Sequence, residues 1–165
     1  MSNTQAQESQ PAPDFTLPAI GDDAVVKNGQ VHLADLRGKT VILYFYPKDD
    51  TPGCTKEACS FRDANHVMQQ RGIVVLGVSK DSVKSHQQFA DKYGLSFPLL
   101  ADTETTVSQL YGSYGERSNY GRTYMAVLRK TFLIDKDGVV RKIWDKVKPE
   151  EHGNEVLEAV EELHL

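Results

Sequence analysis

The chain has two cysteines, Cys54 and Cys59, and both lie in the stretch YPKDDTPGCTKEACSFRD that covers residues 46–63. A close cysteine pair of this kind is more typical of catalysis or metal binding than of a structural disulfide. The plain alternative is a buried free cysteine that acts only as a small apolar side chain. The choice depends on the elements that position the two sulfur atoms.

Cys54 is predicted to lie in the first turn of a helix. The continuous apolar run TVILYFYP, residues 40–47, predicts a strand that is buried on both faces and ends at a proline. After a polar turn, Thr51 suits the N-cap and Pro52 the first helical position, and helical character continues over residues 54–71. Free N–H groups and the helix dipole favour a thiolate at this position, which indicates a nucleophile.

The spacing of the two cysteines restricts how they can pair. On an α-helix, five residues rise ~7.5 Å and turn by about 140°, so the two Cα atoms stand ~8.5–9 Å apart. A disulfide requires Cα atoms closer than ~7 Å. Cys54 and Cys59 therefore either never pair or pair only when the first helical turns unwind. Gly53 leaves open space beside the first sulfur, as an attack on a small molecule requires.

The remaining segments predict a sheet covered by helices. DFTLPAI and QVHLADLRGK predict a short N-terminal hairpin. The later elements are a strand at 72–79, a helix at 81–94, a strand in SFPLL, a helical segment near 103–111, a glycine- and tyrosine-rich connector at 112–124, a hairpin in KTFLIDKDGVVRKIW, and a helix that begins at Pro149. This order is typical of an α/β, thioredoxin-like fold, with a central mixed β-sheet flanked by helices on both faces. The polar residues 1–12 predict a flexible tail, so that residues 13–165 form a single domain.

Composition excludes several classes of protein. The chain of 165 residues has a formal charge of −4, which does not favour nucleic-acid binding. It contains no apolar run near the ~20 residues that a membrane span requires. The N-terminal residues have neither a basic region nor an apolar core of the kind found in signal peptides. We therefore expect a cytoplasmic protein without nucleic-acid or membrane partners.

The cysteine segment resembles the active site of the peroxiredoxins. Their signature P-x-x-x-T-x-x-C is present as Pro47, Thr51 and Cys54 in PKDDTPGC. The longer pattern YPKDxTPGCTxEACxFRD resembles the Q-type branch, also called bacterioferritin comigratory proteins, and RKTFLIDKDG matches downstream. The resemblance extends from about residue 13 to the C-terminus. It implies a thioredoxin-like fold and a thiol-dependent peroxidase that reduces hydrogen peroxide and organic hydroperoxides.

The resemblance also implies a role for each site residue. Cys54 is the peroxidatic cysteine, Cys59 the resolving cysteine, Thr51 a partner of the sulfur and the peroxide oxygen, and Arg129 the active-site arginine. Pro47 and Gly53 support the active-site loop. The implied cycle forms a Cys54 sulfenic acid, then an intramolecular disulfide after local unwinding, and is reset by thioredoxin or a similar dithiol protein. We expect no cofactor, no metal and a monomer.

Two other functions use the same cysteines. A non-catalytic peroxide sensor would form the same disulfide and signal through local unfolding. A disulfide reductase would normally carry C-x-x-C, which this chain lacks. Cys59, Asp63 and His66 share one predicted helix face, but three mixed ligands without a second cluster make a zinc site improbable.

Other side chains near the site have simpler interpretations. Asp49, Asp50 and Glu57 are acidic residues near the predicted site, and we expect the two aspartates to face solvent. Tyr44 and Tyr46 are expected in the core. The five histidines are scattered along the sequence and are expected on the surface.

Overall fold

The computed structural model describes residues 6–165, which contain nine strands and four α-helices. The strands are β1 (Thr16–Ile20), β2 (Gln30–His32), β3 (Thr40–Phe45), β4 (Ile73–Ser79), β5 (Leu99–Ala101), β6 (Tyr114–Asn119), β7 (Arg122–Val127), β8 (Lys130–Ile134) and β9 (Val140–Trp144). The helices are α1 (Pro52–Gln70), α2 (Val83–Tyr93), α3 (Thr106–Leu110) and α4 (His152–Glu162), and 3₁₀ turns lie at Leu33–Leu36 and Pro149–Glu151.

Seven strands form one mixed sheet in the order β2-β1-β5-β4-β3-β8-β9. The central strand β3 pairs in parallel with β4 and antiparallel with β8. All six residues of β3 are buried, which confirms the prediction of a strand covered on both faces. Because side chains alternate along a strand, Leu43 and Phe45 lie in one hydrophobic layer while Ile42 and Tyr44 lie in the other. Cys54 belongs to the layer that contains Tyr44.

Helices cover both faces of this sheet, as predicted. The hydrophobic layer that contains Tyr44 also includes Phe61 of α1, Phe89 of α2 and Val156 of α4. Val107 of α3 and Leu33 of the first 3₁₀ turn pack into the opposite layer. The arrangement is the thioredoxin-like fold, with the predicted N-terminal hairpin formed by β1 and β2.

The described part of the N-terminal segment is not a free tail. The Ser9 N–H donates to the Val140 carbonyl (2.7 Å), and the Val140 N–H donates to the Gln10 carbonyl (2.9 Å). Strand β9 is the last in the sheet, so its outer backbone groups would otherwise lack partners. The prediction of a flexible tail is therefore wrong for residues 6–12. Residues 1–5 of that predicted tail lie outside the described residues.

The predicted connector at 112–124 also has regular structure. Most of it forms β6 and the start of β7, which pair antiparallel as a separate two-stranded hairpin. Tyr120 and Gly121 at its turn both have positive φ, +52° and +77°, as tight hairpin turns require. The side chains at the tip of this ribbon are exposed on both faces, so no apolar alternation indicated strands. None of the helices within residues 6–165 is long and apolar enough to cross a bilayer.

Candidate active site

The reactive segment begins where β3 ends. Thr51 occupies the N-cap with an extended backbone (φ −95°, ψ 156°), and Pro52 is the first residue of α1, both as predicted. Cys54 is the third helical residue and is 1% exposed. Cys59 is half-buried on the same unbroken helix, and both cysteines are free thiols. Ideal helix geometry therefore keeps their Cα atoms ~8.5–9 Å apart, beyond disulfide range.

Arg129 lies beside the Cys54 sulfur. Its Nη2 is 3.3 Å from Cys54 Sγ, and its side chain is 21% exposed. Arg129 directly precedes β8, and the pairing of Lys130 with Phe45 brings it to the end of β3 where α1 starts. The guanidinium is permanently charged, and at this distance its N–H group donates a charge-assisted hydrogen bond to the sulfur.

Glu57 holds the other side of the same guanidinium. Its Oε1 accepts a hydrogen bond from Arg129 Nη1 at 2.5 Å, and its side chain is fully buried. Burial raises the pKa of Glu57 to about 7, because Arg129 offsets only part of the cost of removing the carboxylate from water. Burial alone would lower the pKa of Arg129, but Glu57 and Cys54 outweigh it and raise that pKa above its usual value. The sequence places Glu57 near the site but does not predict this ion pair. The signal was its i+3 spacing from Cys54, which puts both on one helix face.

Two polar atoms beside the site have no hydrogen-bond partner within residues 6–165. They are Glu57 Oε2 and the hydroxyl of Tyr44. Tyr44 is fully buried, as predicted, and stacks on Phe61 (4.5 Å between ring centroids) and on Tyr46 (5.4 Å). Burial and then the charge of Glu57 raise the pKa of Tyr44 well above its usual value, so its hydroxyl keeps its proton. An unsatisfied buried group costs about 1–3 kcal/mol, a cost often found at functional sites.

Gly53 accommodates the arginine rather than an open space. A Cβ atom at this position would lie 3.1 Å from Arg129 Nη2. The missing side chain therefore lets the guanidinium lie against the helix start, next to Cys54. The expectation that Gly53 leaves an empty approach to the sulfur is wrong, because the arginine fills that space.

Thr51 and Pro47 complete the predicted set. The Thr51 hydroxyl donates to the Lys48 carbonyl (3.0 Å) and makes no capping bond to α1. Thr51 is therefore an N-cap by backbone position only, and the lone pairs of its hydroxyl are not used by a cap. Pro47 is half-buried in the loop between β3 and α1. The structure thus brings Gly53, Cys54 and Arg129 together at the start of α1, where Thr51 is the N-cap, and Cys59 lies further along the helix.

Two expectations about charged residues are wrong. Asp50 faces solvent as expected, with 41% of its side chain exposed, but Asp49 is buried at 8%. His86 and His152 are fully buried, whereas the other three histidines are at least partly exposed. The cause is the same in each case, since hydrogen bonds from distant segments offset the cost of burial. Within residues 6–165, no group of three or more histidine, cysteine or acidic side chains is arranged to hold a metal ion.

Comparisons with known proteins place these observations in a family. The model of the AhpC/TSA family matches residues 9–143. A putative peroxiredoxin bcp of Coxiella burnetii is 52% identical over 148 residues, covering 90% of this chain and 94% of the relative. Peroxiredoxin Bcp of Bacillus subtilis is 42% identical over 154 residues, covering 93% and 94%. The solved structure of Xanthomonas campestris bacterioferritin comigratory protein, described for its alkyl peroxide reduction activity, superposes with a TM-score of 0.83 at 35% identity and covers 98% of each chain.

Proposed function

Because this chain belongs to the AhpC/TSA family and is a peroxiredoxin of the Q-type branch, a thiol peroxidase, we propose that Cys54 is its peroxidatic cysteine and Cys59 its resolving cysteine. The observation that carries this assignment is the position of Cys54. Its sulfur lies in the first turn of α1, 3.3 Å from the Arg129 guanidinium. No comparable positive group contacts Cys59 among the described hydrogen bonds and ion pairs of residues 6–165.

The first step is an attack by the Cys54 thiolate on one oxygen of the peroxide. The S–O bond forms as the O–O bond breaks, and the leaving oxygen takes up a proton to become water or an alcohol. The sulfur is oxidised to a sulfenic acid and the peroxide is reduced. The Thr51 hydroxyl and the free N–H groups of the helix start can hydrogen-bond the peroxide and stabilise charge on the leaving oxygen. Arg129 Nη2 donates a hydrogen bond to the Cys54 sulfur at 3.3 Å.

The second step requires α1 to open. The Cys59 thiol attacks the sulfenic sulfur, the S–S bond forms and water leaves. Both cysteines lie on one continuous helix, so the turns between them must unwind before the sulfurs can meet. Thioredoxin or a similar dithiol protein then reduces the disulfide by thiol–disulfide exchange. Slow unwinding would instead favour a second oxidation of Cys54, to sulfinic acid.

The proposed substrates are hydrogen peroxide and organic hydroperoxides. The alkyl peroxide reduction described for the X. campestris protein supports the organic class. The proposed oligomeric state is a monomer. Reduction of the disulfide needs a supply of dithiol protein, which supports the cytoplasm as the location. Sedimentation of the reduced protein tests the monomer.

The test compares two cysteine variants with the wild type. Cys54→Ser should abolish peroxide consumption with a thioredoxin system. Cys59→Ser should react once with peroxide and then stall or overoxidise unless a small thiol is added. Peptide mapping under non-reducing conditions should find a bridge between the two cysteines in the wild type and none in either variant. Normal turnover by Cys54→Ser would refute the peroxidatic assignment, and normal turnover by Cys59→Ser would refute the resolving one.

A peroxide sensor is the second candidate, because the same helix opening could signal to a partner. A sensor would form the bridge with peroxide but show negligible turnover with any dithiol donor. Rapid multiple turnover in the same assay excludes sensing as the main role.

A further inference from the structure

A second buried polar cluster lies directly before the reactive cysteine, and the chemistry proposed above does not use it. Asp49 is at its centre and accepts hydrogen bonds from the hydroxyls of Tyr46 (2.6 Å) and Ser85 (2.8 Å). His86 Nδ1 lies 2.8 Å from the same carboxylate. Tyr46 and His86 are no more than 1% exposed. No arginine or lysine of residues 6–165 is among the recorded partners of this carboxyl group, so its burial depends on these hydrogen bonds.

The proton count of the cluster follows from its acceptors. His86 Nε2 lies 2.9 Å from the Leu100 carbonyl, which can only accept, so Nε2 carries a proton. Nδ1 faces the Asp49 carboxyl group, so one further proton lies between the two side chains. The pair is therefore either imidazolium with carboxylate or neutral imidazole with carboxylic acid. In both forms the pair has no net charge and every bond around Asp49 is satisfied, which makes the cluster rigid.

The cluster holds the loop from which α1 starts. The backbone N–H of Asp49 donates to Asp81 Oδ2 (2.8 Å), which also accepts from the Ser79 hydroxyl (2.6 Å) at the end of β4. The loop is thereby attached to β4 through its backbone and to α2 through its side chain. Thr51 lies two residues after Asp49, and Cys54 lies five residues after Asp49. A shift of Asp49 therefore moves the start of α1.

The next residue repeats the attachment. Asp50 has a φ of +60°, a conformation that costs a non-glycine residue free energy and persists only where the surroundings impose it. Its carboxylate accepts from Lys92 Nζ (2.8 Å) and the Tyr93 hydroxyl (2.6 Å), both at the C-terminal end of α2. Two consecutive aspartates thus bind the loop to opposite ends of the same helix.

We propose that Asp49 and His86 are positioning residues for the peroxidase reaction. They touch neither the sulfur nor the peroxide. They hold the loop so that the Thr51 hydroxyl and the first N–H groups of α1 face the peroxide bound at Cys54. This inference rests on the proposed function, and it assigns the effect to the geometry of the hydrogen bonds and not to the charge of Asp49.

The test uses two Asp49 variants and two reagents in single-turnover experiments on reduced protein. Peroxide requires the positioned loop, whereas iodoacetamide requires only an accessible thiolate. Asp49→Ala should slow the oxidation of Cys54 by hydrogen peroxide at least ~10-fold. It should change the rate at which iodoacetamide alkylates Cys54 by less than about threefold. Asp49→Asn keeps the size of the side chain, can accept from Tyr46, and can donate to Nδ1 of a neutral His86. It should therefore restore the peroxide rate to within about threefold of the wild type.

Asp91→Ala is the matched control, since Asp91 is an exposed aspartate of α2 whose side chain accepts a hydrogen bond from Gln87 on the same helix. It should change neither rate. An unchanged peroxide rate in Asp49→Ala, or an equal loss of both rates, would overturn the proposal. So would an Asp49→Asn variant as slow as Asp49→Ala. If Asp49→Ala does not fold, Tyr46→Phe takes its place, because it removes one hydrogen bond to Asp49. Tyr46→Phe should slow the reaction with peroxide and leave alkylation unchanged. A peroxide rate equal to that of the wild type would count against the proposal. A wild type that does not react with peroxide would instead refute the proposed function.

Discussion

Glu57 should make the stability of this protein depend on pH in a direction opposite to that of most carboxylates. The carboxyl group is fully buried, and its pKa rises from 4.5 to about 7. A difference of about 2.5 pKa units corresponds to about 3 kcal/mol of unfolding free energy. Solvent does little to screen the charge of Glu57, because its side chain has no exposed surface.

The sign follows from counting protons. Below pH 4.5 the carboxyl group is protonated in both states, and this contribution to stability is complete. Between pH 4.5 and about 7 the folded protein binds a proton that the unfolded chain has released, so stability falls as the pH rises. Above about 7 the group is ionised in both states and the contribution is lost.

Urea unfolding at a series of pH values measures this effect. The comparison should be made in a Cys54→Ser background, which removes the thiol beside Arg129. The unfolding free energy of Cys54→Ser minus that of Cys54→Ser/Glu57→Gln should fall by about 3 kcal/mol from pH 4.5 to above 7. Contributions of the histidines common to both proteins largely cancel in this difference.

Glu161→Gln in the same background is the control. Glu161 is 54% exposed and pairs with Arg71 on the surface. The difference in unfolding free energy between Cys54→Ser and Cys54→Ser/Glu161→Gln should therefore change little over the same pH range. A flat or rising difference for Glu57→Gln would refute the reasoning. It would mean that Arg129 keeps Glu57 ionised despite its burial.

Three further substitutions test the packing around the site. Gly53→Ala places a Cβ 3.1 Å from Arg129 Nη2. Stopped-flow measurement should show single-turnover oxidation of Cys54 slowed roughly 10-fold. An unchanged rate would show that the guanidinium can shift freely. Gly153→Ala places a Cβ 2.4 Å from the Ser60 carbonyl oxygen, so α1 and α4 must separate, and urea unfolding should show a loss of about 1–3 kcal/mol. No loss there would mean that the helix contact is loose. Tyr44→Phe removes a buried hydroxyl that lacks a hydrogen-bond partner within residues 6–165. The unfolding free energy should therefore stay equal or rise by about 1 kcal/mol. A clear decrease in urea unfolding would show that the hydroxyl does have a partner.

The elements around the cysteines could be predicted because their signals are local. The apolar run of β3, the N-cap at Thr51 and the proline after it all act within a few residues of Cys54. The same holds for Gly94, which ends α2 with a φ of +63°. Local signals failed where the hydrogen-bond partners came from elsewhere. Residues 6–12 looked like a tail, because their backbone groups bond to Gly138 and Val140, which lie far away in the sequence.

Residue types and spacing are enough to predict that Cys54 begins a helix and that Cys59 is out of its reach along that helix. Both predictions depend only on helix geometry and on residue types within about ten positions. The charged groups around the Cys54 sulfur, in contrast, depend on how the chain folds. Arg129 lies 75 positions away and reaches Cys54 through the pairing of β8 with β3, while His86 contacts Asp49 from α2. Burial of Asp49 and Glu57 is stable only with these distant partners in place, because a carboxyl group leaves water only where hydrogen bonds or an opposite charge offset the loss of hydration.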